Sequence, residues 1–241
     1  MPKIAAYQAP LSHIAPPDAI ELIRARVKWC EDAGVALLCC PEAILGGLAD
    51  YAPDSRQFAI PTAGLASVLA PLASRTVTTI VGFTELAADG SLYNSAAVFQ
   101  QGSVVGVYRK LFPAIRHSVY NAGRETPVFG AAGVTFGIVI CNDSNFPEPA
   151  AKMAAQGATL LFIPTNNALP ASKSAEKTAA AAQNAAIARA RENHVWVVRA
   201  DVAGRTGDLE SRGSSAIVSP DGGVLQAARP FDEDLLVAEI A

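Results

Sequence analysis

Short apolar runs rich in β-branched residues alternate with alanine-rich stretches of helical period along nearly the whole chain, which restricts it to a layered α/β or α+β fold. The opening KIAAYQ reads as a strand, and PPDAIELIRARVKWCEDAG follows as a helix, with prolines at its start and Gly34 where it must stop. VALLCC is an unbroken apolar run, the pattern of a strand covered on both faces. After a glycine-bearing loop and a second helical stretch, VTTIVGF, LYNSAAVFQ and SVVGVYRK read as a strand meander, the last two joined by a Gln-Gly turn. VTFGIVI, TLLFIP, VWVVRAD, SSAIVSP and VLQAA are further strands, with helices near 148–156 and 174–193 and a turn in PDGG at 220–223.

No linker, repeat or low-complexity tail interrupts this pattern, so residues 1–241 are expected to form one domain. With 51% hydrophobic and 17% charged residues, the chain has apolar material for a thick core. A net charge of −3 without a basic run leaves no footprint for a nucleic-acid backbone or an anionic membrane, so a small molecule is the expected partner. The start MPKIAAYQAP lacks the basic flank and apolar stretch of a secretory signal, and no stretch is long enough to cross a bilayer. A cytoplasmic location is therefore expected, in which Cys30, Cys39, Cys40 and Cys141 stay as thiols. Cys39 and Cys40 are adjacent in a strand, so they turn to opposite faces and read, with Cys30, as inert core. The histidines at 13, 117 and 194 have no spacing with each other or with the cysteines that suggests a metal site.

Three reactive side chains each stand just beyond a strongly apolar strand: Glu42 after VALLCCP, Lys110 after SVVGVYR and Cys141 after VTFGIVI. Ligand sites in layered α/β sheets gather at the carboxyl ends of strands, where the backbone turns into loops around a crevice. A thiol needs a base to become a thiolate, a carboxylate supplies one, and an ammonium stabilises negative charge developing on a carbonyl oxygen. Together the three describe acyl transfer through a thioester, with no cofactor required. Taken singly, each has a plainer reading: the cysteine as a small buried hydrophobe, the lysine and glutamate as solvated rim residues.

The segments around these residues, PE at 41–42, YRKLFP at 108–113 and GIVICNDSNFPE at 137–148, resemble in order and spacing the three signature segments of the nitrilase superfamily of carbon–nitrogen hydrolases. ARARENHVWVVRAD at 188–201 and GSSAIVSPDGGVL at 213–225 extend the resemblance almost end to end. It implies a four-layer α-β-β-α sandwich of two mixed sheets with helices outside, paired through helices into a homodimer or higher homo-oligomer. It also implies Glu42 as general base, Cys141 as nucleophile, Lys110 holding the tetrahedral intermediate, and the backbone N–H of Asn142 as a second oxyanion donor.

Two departures bear on the substrate. Many members carry a second glutamate soon after the lysine, but LFPAIRHSVYNAG contains no acid, and Glu125 lies too close to the next strand for that role. His117, Ser118 and Tyr120 are the polar candidates to replace it. Cys141-Asn142-Asp143 also differs from the Cys-Trp-Glu of true nitrilases, favouring amide or carbamoyl substrates over nitriles. Asp143 is expected to brace the loop and Glu148 to sit in the first turn of a helix. Asn166 and Asn167, beyond another strand end, are candidates to line the substrate pocket. Two other readings stay open: His117 as base for Cys141, and a catalytically silent binding or regulatory protein with this fold.

Overall fold

The apolar runs assemble into two mixed β-sheets packed face to face, with helices on their outer faces, in a computed structural model that describes residues 1–12, 15–170 and 173–240. His13, and Ala171 and Ser172 of the 166–174 loop, lie outside the described residues. The first sheet is built on Lys3–Pro10, Val35–Cys39, Thr78–Leu86, Leu92–Gln100 and Ser103–Arg109, the last three forming the expected antiparallel meander. The second runs in the order Val224–Ala227, Ala216–Val218, Trp196–Ala200, Leu160–Pro164, Val134–Ile138 and Val128–Ala131.

Helix α1 (Pro16–Ala33) starts on prolines and ends at Gly34, whose φ of 70° is the left-handed conformation that a side chain disfavours. Its Ile20, Ile23, Val27 and Cys30 pack on the outer face of the first sheet against Ala5, Tyr7, Leu38 and Cys40. The alternate residues Ile4, Ala6, Leu37 and Cys39 face the second sheet. VALLC is thus buried on both sides, and Cys39 and Cys40 do point to opposite faces. Between α1 and the meander lies α2 (Leu65–Leu69), flanked by turns of 3-10 helix. Helices α3 (Pro147–Ala155) and α4 (Ala175–Asn193) cover the second sheet through Ala150, Met153, Ala186 and Ala190. Glu148 stands in the first turn of α3 and pairs with Lys152 at 2.6 Å.

VWVVRAD does not run as one strand. Trp196–Ala200 belongs to the second sheet, and beyond Asp201 the chain passes to the first sheet, where Val202 pairs with Ala9. Val202–Thr206, Leu209–Ser211 and Asp234–Glu239 are strands that alternation alone does not reveal, because each is completed by pairing with a distant neighbour. No described helix is long and apolar enough to cross a membrane.

Candidate active site

Glu42, Lys110 and Cys141 line one cavity of about 210 Å³ at the carboxyl ends of their strands. Glu42 is buried, and its carboxylate accepts three donors: Lys110 Nζ at 2.6 Å and Asn94 Nδ2 at 2.7 Å on Oε1, and the Asn166 N–H at 2.9 Å on Oε2. Lys110 follows the strand Ser103–Arg109, and its backbone N–H is tied to the Asn94 carbonyl at 2.8 Å. Burial disfavours its ammonium, but the charges of Glu42, Cys141 and Asp143 outweigh this and push its pKa up.

Cys141 opens a turn of 3-10 helix (Cys141–Asn145) with a φ of 44°, the left-handed region that non-glycine residues rarely enter. Holding it there costs about 1–3 kcal/mol, a strain that recurs at functional sites. The turn is closed by Asp143, which accepts the Ile140 N–H at 3.1 Å, and by the Ser144 hydroxyl, which donates to the Cys141 carbonyl at 2.6 Å. Asp143 also accepts Tyr108 OH at 2.7 Å and the Phe112 N–H at 2.8 Å, so it braces the backbone after Lys110 against the Cys141 turn. Cys141 is a partly exposed residue whose thiol lies 3.7 Å from Asn167 Oδ1. Asn167 Nδ2 donates to Asp201 at 3.0 Å, and because a carboxylate only accepts, Oδ1 must face the sulfur.

Burial, then the Glu42 charge, push the Cys141 thiol up to about 12, against the pull of Lys110 and Arg199. A raised pKa means that the folded protein holds the proton throughout the neutral range, and only the thiolate attacks. Labelling of Cys141 by iodoacetamide is therefore expected to climb about tenfold per pH unit from pH 7 to beyond 10. A plateau below pH 9 in a pH–rate series read by peptide mass spectrometry would show instead a pre-ionised cysteine.

The remaining expected residues divide by environment. Asn142 lines the cavity, but its Nδ2 donates to the Phe112 carbonyl at 3.0 Å, holding the loop after Lys110. Tyr120, buried at the cavity wall, accepts the Ala49 N–H at 2.7 Å and bonds Thr84 at 2.8 Å. Asn166 and Asn167 both line the cavity. His117 is exposed and lies outside the lining residues. Among the described residues, no group of three His, Cys, Asp or Glu is placed to hold a metal ion.

Asp50, Asn94, Ser144 and Arg199 also line the cavity without having been singled out from the sequence. Arg199 is fully buried under the Cys141 turn and donates to Thr165 Oγ1 at 2.8 Å and Ser144 Oγ at 2.9 Å. It stands one residue before the end of a fourth apolar strand, Trp196–Ala200, near the same carboxyl-end crevice.

A two-sheet sandwich between helices, with thiol, carboxylate and ammonium gathered at strand ends, is the layout of the nitrilase superfamily. The chain belongs to the carbon–nitrogen hydrolase family, whose sequence profile matches residues 3–241. It is similar to a Pseudomonas protegens protein described as "hydrolase in pqqF 5′ region", 30% identical over 99% of this chain and 82% of that one. A nitrilase of Pyrococcus abyssi is 31% identical over 89% of this chain and 80% of its own length. The solved structure of an amidase from Nesterenkonia sp. AN1 shares the fold, with a TM-score of 0.78, 22% identity, and coverage of 100% of this chain and 94% of that one.

Proposed function

We propose that this chain hydrolyses the carbon–nitrogen bond of a small amide or carbamoyl compound through a thioester on Cys141. The observation that carries this reading is the Lys110–Glu42 pair at 2.6 Å, set in the same cavity as the Cys141 thiol. Glu42 takes the thiol proton as sulfur attacks the carbonyl carbon, and the oxygen gains a negative charge facing the Lys110 ammonium and the Asn142 backbone N–H. Collapse of this intermediate expels the amine, protonated by Glu42, and leaves the acyl group on sulfur. Water, deprotonated by Glu42, then cleaves the thioester and frees the acid and the thiol.

A cavity of about 210 Å³ suits a substrate smaller than drug-sized ligands, whose pockets measure roughly 300–1,000 Å³. The Cys141-Asn142-Asp143 sequence supports amides over nitriles, while the similarity to a nitrilase favours nitriles as the second reading. An ammonia-release screen over aliphatic amides, carbamoyl amino acids, ω-amides and matched nitriles separates the two, and turnover is expected to fall to background in Cys141→Ala. If nothing in the panel were turned over, and Cys141 were alkylated no faster than the buried Cys30, a binding or regulatory role would replace this reading.

A further inference from the structure

Four charged side chains line the cavity among the described residues: Glu42, Asp50, Lys110 and Arg199. Glu42 is paired with Lys110, and Arg199 is held by Thr165 and Ser144, with the buried Asp201 two residues further along the chain. Asp50 is left over. Its carboxylate is held by neutral donors, the Ser118 hydroxyl at 3.0 Å from each oxygen and the Val119 N–H at 2.8 Å. Its position is firm, because the neighbouring Ala49 N–H is anchored to Tyr120, which is bonded in turn to Thr84. Beside it Tyr51 lines the same cavity.

A carboxylate without a counter-ion and an aromatic ring together form an ammonium-binding pair, since a cation gains charge-assisted hydrogen bonds from the one and a π-face from the other. We propose that the substrate is a small amide that also carries an ammonium group, bound with its carbonyl at Cys141 and its ammonium at Asp50 and Tyr51. Leu48, Pro113 and Ile115 line the same cavity and suit a short methylene spacer. An amide bearing a carboxylate is repelled by Asp50, so the charge acts against wrong substrates as well as for the right one. The inference rests on the amidase reading and names the substrate class of that site.

Three amides of similar size test it: cationic β-alaninamide, neutral butyramide and anionic succinamic acid, with kcat and KM measured for the wild type, Asp50→Asn and Asp50→Glu. Wild type is expected to prefer the cationic amide over the neutral one at least tenfold in kcat/KM, with the anionic one slowest. In Asp50→Asn that preference should shrink to within threefold, through a rise in KM for β-alaninamide, while Asp50→Glu retains it. The wild-type ranking needs no variant and decides the matter even if Asp50→Asn fails to fold. Amide turnover without a cationic preference, or a preference that survives Asp50→Asn, would refute the ammonium site and leave the amidase reading standing. Turnover of none of the three would overturn this substrate class, and an ammonia-release panel equally silent would take the amidase reading with it.

Discussion

Glu42→Gln is expected to abolish amide turnover, a loss of at least about 10³-fold in kcat, while His117→Ala keeps most of the wild-type rate. The carboxylate is isosteric with the amide, so the substitution adds no bulk. What changes is the chemistry. Oε1 accepts from both the Lys110 ammonium and Asn94 Nδ2, and Oε2 from the Asn166 N–H, so a carboxamide must turn its NH2 toward a donor at one of these positions. The variant therefore loses the proton acceptor, leaves a buried ammonium without its counter-charge and creates a donor–donor contact. His117 is exposed and touches none of this. Steady-state kinetics on the best amide of the screen check the pair, and the opposite outcome, an active Glu42→Gln beside an inactive His117→Ala, would transfer the role of base to the histidine.

Gly82→Ala should be nearly as damaging without touching a reactive group. Gly82 lies in the strand Thr78–Leu86, where a Cβ would fall 2.8 Å from Glu42 Cα and closer still to the Pro41 carbonyl oxygen and the Ala43 nitrogen. These are backbone atoms in a segment that is already constrained, with Ala43 at a φ of 48° and the Leu45 N–H bonded to the Gly82 carbonyl at 3.3 Å. The segment must shift or the strand must part from it. Overpacking of this kind costs about 1–3 kcal/mol, and displacing a catalytic group by about 1 Å costs on the order of 10²-fold in rate. Gly130→Ala, where an added Cβ meets nothing within 4 Å, is the control expected to keep both Tm and kcat/KM. A Gly82→Ala protein with wild-type Tm and wild-type kinetics would show that the placement of Glu42 does not depend on this close approach.

Gly82 also marks the boundary of what could be read in advance. In VTTIVGF it is one more strand residue, and only the fold brings it against a segment forty residues earlier in the chain. Asn94 is similar: in LYNSAAVFQ it is a polar residue in an apolar strand, and its contact with Glu42 depends on pairing opposite Thr84. Arg199 was legible in principle, as a charged residue near the end of a fourth apolar strand, but Asp201 was not, because the passage of the chain from one sheet to the other at that residue leaves no periodic trace. His117 shows the converse, a reactive side chain beside a signature segment that the loop leaves in solvent.

Period-two and period-3.6 patterns and the turn residues at their ends are local properties, and from them the sequence alone determined most of the strands, the helices and the three strand ends where Glu42, Lys110 and Cys141 stand. Tertiary structure decided everything that needs two distant segments to meet: the Lys110–Glu42 pair across 68 residues, the seat of Glu42 over Gly82, and the orientation of Asn167 by Asp201. It also decided that Asp50, unremarkable in a loop, lines the same cavity as Cys141 without an ion pair among the described residues. The physical reason is range: backbone periodicity repeats within a few residues, whereas hydrogen bonds, steric contact and charge pairing depend on which strands the two sheets place side by side.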